Sequence, residues 1–249
     1  MKSLKLILFV LIGVFIFQKT GFSQSEKDMD KMLFYYVDEK YEKLLDMAMK
    51  FVEDDKTRKN PVPYLYVSKA YYEMSKIEEY DEAYPRAFRD AVKYAVKYRK
   101  KDKTDEFIEE NSEYIDGLKV QTFELADSYY QIGKYSKAKT YFKYLTGMDP
   151  KDWGSWFLKG VNESRLNMRS ESEISMKTAI DGLAAVDKTI VENYLPGQLL
   201  LLKKGIINYS EFMKERGKMA EAKEIIAMGY PYFEEDNEYK MTYDDLMRG

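Results

Sequence analysis

A helix–turn–helix pattern that returns after 34 residues constrains this chain more than any other feature it has. In Leu125–Pro150, LADSYYQIGKYSKAKTYFKYLTGMDP, the residues Leu125, Ala126 and Tyr129 lie three and four apart on one helical face. Ala138, Phe142 and Leu145 do the same on a second, and Gly133-Lys134 separates the two. A shift of 34 residues lands Thr122 on Trp156, Ala126 on Gly160, Gly133 on Asn167, Ala138 on Ser172, Phe142 on Met176 and Leu145 on Ala179. Chance amphipathicity repeats every 3.6 residues and has no reason to return at 34. Asn is also the residue that best replaces Gly in a left-handed turn, which fits Asn167 to the place of Gly133.

The stretch resembles a tetratricopeptide repeat, supplying Leu125, Tyr129, Gly133, Tyr135, Ala138, Phe142 and Pro150 at that family's offsets, with Ala126 for its Gly and Leu145 for its second Ala. Each position has a packing task. Ala138 is small where two helices cross, Tyr129 and Phe142 fill the space between them, and Pro150 opens the next helix, where its missing N–H is not needed. The resemblance implies an all-α fold, a right-handed α-solenoid of four to five such hairpins over residues 24–249. The repeats are expected near 25–58, 61–103, 119–152, 153–186 and 196–232, with a tail at 233–249.

Taken in order, MDKMLFYYV and YEKLLDMAMKFV form a degenerate first repeat, with Tyr35, Tyr41, Leu44, Ala48 and Phe51 at repeat offsets and Asp38-Glu39-Lys40 between. Pro61 and Pro63 start the second, in which Tyr64, Val67, Ser68 and Tyr71 stand at the family's positions. Its second helix is displaced by an insertion near 78–86, which is either a binding rim or a tolerated loop. RKKDKT at 99–104 reads as a charged linker, and DEFIEENSEYIDGL as a helix with Phe107, Ile108 and Ile115 inward. That helix either runs into the 34-residue repeat or breaks at Gly117. Pro196 starts an apolar helix expected to dock on the preceding repeat, Gly217 ends it, and Ala222 and Ile226 keep register in its partner. The tail either caps the last repeat or hangs free.

The first 23 residues read as a cleaved secretory signal peptide. Lys2 and Lys5 precede an apolar run from Leu6 to Phe17, too short to span a bilayer, and Gly21-Phe22-Ser23 offers a cleavage site. Its Phe-Ser-Gln ending and the Lys-, Tyr- and acid-rich composition resemble secretory proteins of Gram-negative Bacteroidota, which implies a periplasmic or envelope-associated location. Cleavage removes three lysines and no acid from a chain of net charge −3, so nucleic acid is not an expected partner, and no stable membrane span is expected to remain. With 6 Pro, 13 Gly and 45% apolar residues the remainder has the composition of a folded chain.

Zero His and zero Cys exclude Ser-His-Asp triads, thiol nucleophiles and imidazole or thiolate metal sites. No Gly-rich phosphate loop, GxSxG or EF-hand spacing occurs, and the acid pairs Glu78-Glu79, Glu109-Glu110 and Glu234-Glu235 lie on charged, solvated stretches. No enzyme, cofactor or metal is expected. What the resemblance implies is a protein-binding scaffold with a concave groove lined by first helices. Its groove offsets fall on Tyr36, Tyr72 and Tyr130, with Ser164 after them, in one row, Lys69, Asp127 and Val161 in a second, and Leu65, Phe123 and Phe157 in a third. Lys69 alone does not reproduce the family's basic clamp for a terminal carboxylate. The alternative is a carbohydrate-associated accessory protein whose aromatics stack on sugars.

Overall fold

A computed structural model describes residues 27–249, and the expected signal peptide at 1–23 lies outside them. The described residues form helices joined by turns, with no strand among them. Their contacts divide the chain into two compact units, one ending at Lys101 and one from Asp102 to Gly249. The first unit holds α1 (27–37), α2 (Tyr41–Glu53), α3 (Val62–Met74) and α4 (Ala87–Lys101). The second holds α5 (Glu106–Glu110), α6 (Ser112–Gln131), α7 (Tyr135–Met148), α8 (Trp153–Arg165), α9 (Arg169–Ala184), α10 (Lys188–Val191), α11 (Pro196–Glu215), α12 (Met219–Phe233) and α13 (Asn237–Arg248).

One turn recurs in four hairpins: α1–α2, α6–α7, α8–α9 and α11–α12. Glu39, Gly133, Asn167 and Gly217 take the left-handed conformation, with φ of 56°, 71°, 59° and 72°. The N–H of each bonds the carbonyl three residues back: Tyr36, Tyr130, Ser164 and Lys214. The next residue, Lys40, Lys134, Met168 or Lys218, donates to the carbonyl five back at 2.8–2.9 Å. This is the Schellman closure, which satisfies carbonyls that a helix end leaves free. The same residue then accepts the first bond of the second helix, from Leu44, Ala138, Ser172 or Ala222, so those four fall in one register and all are buried.

Seven residues before each left-handed residue, Met32, Ala126, Gly160 and Ser210 are buried in the first helices. A hydroxyl closes two of the crossings: Ser172 Oγ donates to the Gly160 carbonyl at 2.8 Å, and in the first unit Ser68 Oγ donates to that of Ala91 at 2.7 Å. Successive hairpins then pack, α7 on α8 and α11 on α8. At the second contact the backbones touch, since a Cβ on Gly154 would fall 2.1 Å from the Leu201 carbonyl oxygen and one on Gly205 2.4 Å from that of Gly154. Leu201 and Leu202, from the apolar run expected to dock here, are buried.

Several boundaries differ from those expected of the sequence. The stretch read as a linker at 99–104 is helical to Lys101, and buried Asp102 then accepts from the Ile108 N–H at 2.9 Å to start α5. Helix α6 begins at Ser112 rather than near 119 and passes through Gly117; the break falls at Asn111. Ile115 is buried as expected, whereas Phe107 and Ile108 are half-buried. The tail is a cap: α13 packs on α12, and its fully buried Tyr239 donates to the Ile226 carbonyl at 2.6 Å.

The added first turns of α6 carry a buried polar cluster. Lys119, 1% exposed, places Nζ 2.9 Å from Asp149 Oδ2 and 2.8 Å from Asp152 Oδ2. Asp152 also caps α8 by accepting from Ser155 N–H at 3.0 Å. Asp116, one turn earlier on α6, accepts the Gly197 N–H of α11 at 2.8 Å, so the start of α11 is held by a residue 81 positions earlier. Burial alone would lower the Lys119 ammonium, but the Asp152 and Asp149 carboxylates raise it above the ordinary lysine value. Asp149 is pushed up by burial and pulled further down by Lys119, ending below the usual carboxylate range. Asp152, the more deeply buried, is raised.

Candidate functional site

In the first unit, α1 and α3 bring three of the expected residues together. Lys69 Nζ lies over the Tyr36 ring at 5.5 Å, and Glu73 and Tyr72, on the next turn of α3, are close enough to act on the Tyr36 hydroxyl. Burial, then those two neighbours, raise the Tyr36 hydroxyl above its ordinary value, and burial lowers the Lys69 ammonium. Lys76 Nζ sits 3.7 Å above the Tyr72 ring. Tyr36, Lys69 and Tyr72 are all half-buried. Leu65 is 5% exposed and belongs to the core.

In the second unit the expected residues separate into surface and core. Asp127 is half-buried and accepts from Gln131 Nε2 at 3.1 Å, one turn along α6. Tyr130 packs edge-on against Phe142 and accepts from Arg165 Nε at 3.1 Å. Burial raises its hydroxyl, opposed by Arg165. Phe123, Phe157 and Val161 are 7%, 0% and 1% exposed, so they line no open surface. Phe157 stacks on Tyr209 of α11 at 5.2 Å, and Val161 joins the same apolar cluster. The third expected row, Leu65, Phe123 and Phe157, is thus core throughout, and Val161 leaves the second. For Phe157 and Val161 the cause is the neighbouring first helix α11, which closes over positions that a single hairpin would leave open.

Sequence reasoning missed Arg165. Its guanidinium bridges Tyr130 on α6 and Glu215 on α11, and lies over Phe212 at 4.9 Å. The turns carry the signal that finds it: Arg165 and Glu215 both stand two residues before a left-handed turn residue, in successive hairpins. The surface that results offers aromatic faces, hydroxyls and fixed charges, which suits recognition through contact area and hydrogen bonds. Among the described residues there is no group of three or more acids placed to hold a metal ion, and no helix long and apolar enough to cross a membrane.

No protein-family model matches the chain, and no curated protein matches it. Among solved structures it is similar to the TPR2AB domain of yeast Sti1 in complex with pHSP90. That match has 14% sequence identity, covers 88% of this chain and 84% of the other, and has a TM-score of 0.33. So low a TM-score carries no weight for fold or partner. The repeated helix–turn–helix unit itself rests on this chain's own spacing, turns and small crossing residues.

Proposed function

We propose that this chain is a non-enzymatic scaffold for protein–protein interaction, built as a right-handed solenoid whose first helices hold a peptide or domain of a partner. The observation that carries the reading is the Tyr36, Lys69 and Tyr72 patch: half-exposed aromatics and a cation brought together by α1 and α3, the first helices of two hairpins. Tyrosines held this way offer large contact area at low entropic cost, the usual make-up of a binding anchor. Asp127 and Tyr130 extend the same kind of surface in the second unit. The chain is proposed to be exported after cleavage at residue 23 or 24, and to work in the periplasm or envelope of a Gram-negative bacterium, within a secretion or assembly complex.

Crosslinking in the producing cell, followed by mass spectrometry, tests this reading. The wild type is expected to capture a defined partner, with mature chains beginning at Gln24 or Ser25. A Tyr36→Ala/Tyr72→Ala double variant that still melts as a folded protein is expected to bind it by about 2 kcal/mol or more less tightly, roughly 30-fold. Lys143→Glu, on the exposed face of α7, is the control and is expected to bind normally. A folded double variant that keeps the partner at full affinity rules the patch out.

A further inference from the structure

The turn ends of the α8–α9 and α11–α12 hairpins enclose a cleft of about 500 Å³ that opens to solvent. Met176, Phe212 and Met213 give it apolar walls, and Arg169, Arg216 and Lys218 stand in its lining. Phe212 and Met213 are 3% and 4% exposed, so the hairpins fix these walls in place, while Met176 is half-buried and adaptable.

The cations differ in one respect. Arg169 pairs with Glu173, Lys218 with Glu221 and neighbouring Arg165 with Glu215. Arg216 has no carboxylate partner among the described residues. Its guanidinium lies over Phe212 at 5.3 Å and gives one N–H to Ser164 Oγ at 3.0 Å. That contact and the stacking hold the guanidinium at the cleft it lines, with the rest of its five donors making no hydrogen bond among the described residues. A planar guanidinium held this way takes a carboxylate through two parallel hydrogen bonds.

We infer that this cleft binds an acidic peptide segment of a partner protein, with a side-chain carboxylate on Arg216 and a neighbouring large apolar side chain against Met176 and Met213. The apolar walls account for the second requirement. The net charge of −3 on the whole chain opposes a long polyanion such as nucleic acid, while a short segment with two or three acids meets only the local positive field. The cleft takes in the first turns of α9, a second helix, as well as the ends of α8 and α11, and none of Tyr36, Lys69, Tyr72, Asp127 or Tyr130 lines it, so it goes beyond the reading above.

The test is fluorescence anisotropy on the full mature chain with a fluorescein-labelled, end-blocked peptide Glu-Phe-Glu-Leu-Glu. Saturable binding is expected, at least tenfold weaker for Gln-Phe-Gln-Leu-Gln and at least tenfold weaker for the acidic peptide on Arg216→Gln. Arg216→Lys is expected to recover part of the loss, because it restores charge without the two-pronged geometry. Met176→Ala is expected to weaken binding a few-fold, and Tyr36→Ala/Tyr72→Ala to leave it unchanged, which separates this site from the first-helix surface. No saturable binding up to about 1 mM peptide overturns the proposal. So does equal affinity for the Gln peptide or for the folded Arg216→Gln protein, or stronger binding of a single-stranded oligonucleotide of equal charge.

Discussion

The α3–α4 hairpin of the first unit and the α8–α9 hairpin of the second close their crossings alike and their turns differently. Ser68 and Ser172 each reach across with a buried hydroxyl to a backbone carbonyl, at 2.7 and 2.8 Å. Yet α8 passes to α9 through the left-handed turn at Asn167, while α3 reaches α4 through the whole of 75–86. That insertion is packed rather than loose. Tyr80 and Tyr84 sit 6.0 Å apart, and Tyr84 lies 6.2 Å from Tyr71, which in turn meets Tyr94 at 6.1 Å. A crossing is therefore specified by its small residues and is indifferent to the connection, provided a long connection brings its own side chains to pack. The second unit adds backbone contact and buried charge to its crossings.

The largest effect that would test this division is Lys119→Met. It would strand the Asp149 and Asp152 carboxylates and is expected to cost about 3–5 kcal/mol. Urea denaturation of the mature protein measures it, and Asp149→Asn/Asp152→Asn in the same background should recover most of the loss. The raised Lys119 value also gives a pH signature. Its stabilisation is fully present below the ordinary lysine pKa and is lost as pH rises through the higher folded value, so the variant should show a flatter alkaline limb. Gly154→Ala comes next, at roughly 3 kcal/mol, because its Cβ would meet backbone rather than a side chain able to move. Gly117→Ala, in open space on α6, should instead stabilise by about 0.5–1 kcal/mol. If both behave alike, backbone contact does not define the second unit.

Ala138→Leu and Ser172→Leu overfill two crossings in the same register and are each expected to cost roughly 1–3 kcal/mol, read as melting temperature by circular dichroism. Lys137→Leu, one residue away and exposed, should change stability by under about 0.5 kcal/mol. These positions were legible in the sequence because helical periodicity alone does not return small residues at a 34-residue spacing, and Asn167 was legible because few residues tolerate a left-handed turn. Lys119 was not. A lysine in a polar-looking helix reads as solvated, and only the approach of two acids from the α7–α8 turn makes it core. Asp116 was hidden for the same reason, since its contact is with Gly197. Among the candidate binding residues, Tyr36, Lys69, Tyr72, Asp127 and Tyr130 kept an open side. Leu65, Phe123, Phe157 and Val161 did not, because the offsets of one hairpin say nothing about what the next helix covers.

In the first unit, Tyr84→Ala removes the ring that joins the insertion to α3 and should cost about 1 kcal/mol. Hydrogen exchange resolved by mass spectrometry should show faster exchange across 75–86 with little change in α4. Unfolding of α4 along with the insertion would mean that the connection, and not the crossing, holds this hairpin together.

The smallest effect concerns the one recurring turn whose left-handed residue is neither Gly nor Asn. Glu39 holds φ of 56°, a conformation that costs an ordinary L-residue roughly 1–2 kcal/mol, and its turn makes the same two bonds as those at Gly133, Asn167 and Gly217. Relief of that strain by Glu39→Gly is partly offset by the greater freedom glycine gains in the unfolded chain, so a net stabilisation of about 0.5 kcal/mol is expected. The reciprocal change, Gly133→Glu, has the opposite sign for the same reason and should cost about 1 kcal/mol. Both can be read from denaturation midpoints with unchanged slope. Because the two residues sit at one position of one turn in different units, the pair isolates backbone strain from packing. If Glu39→Gly destabilises while Gly133→Glu costs as expected, the Glu39 side chain stabilises the first hairpin by more than its backbone strain costs.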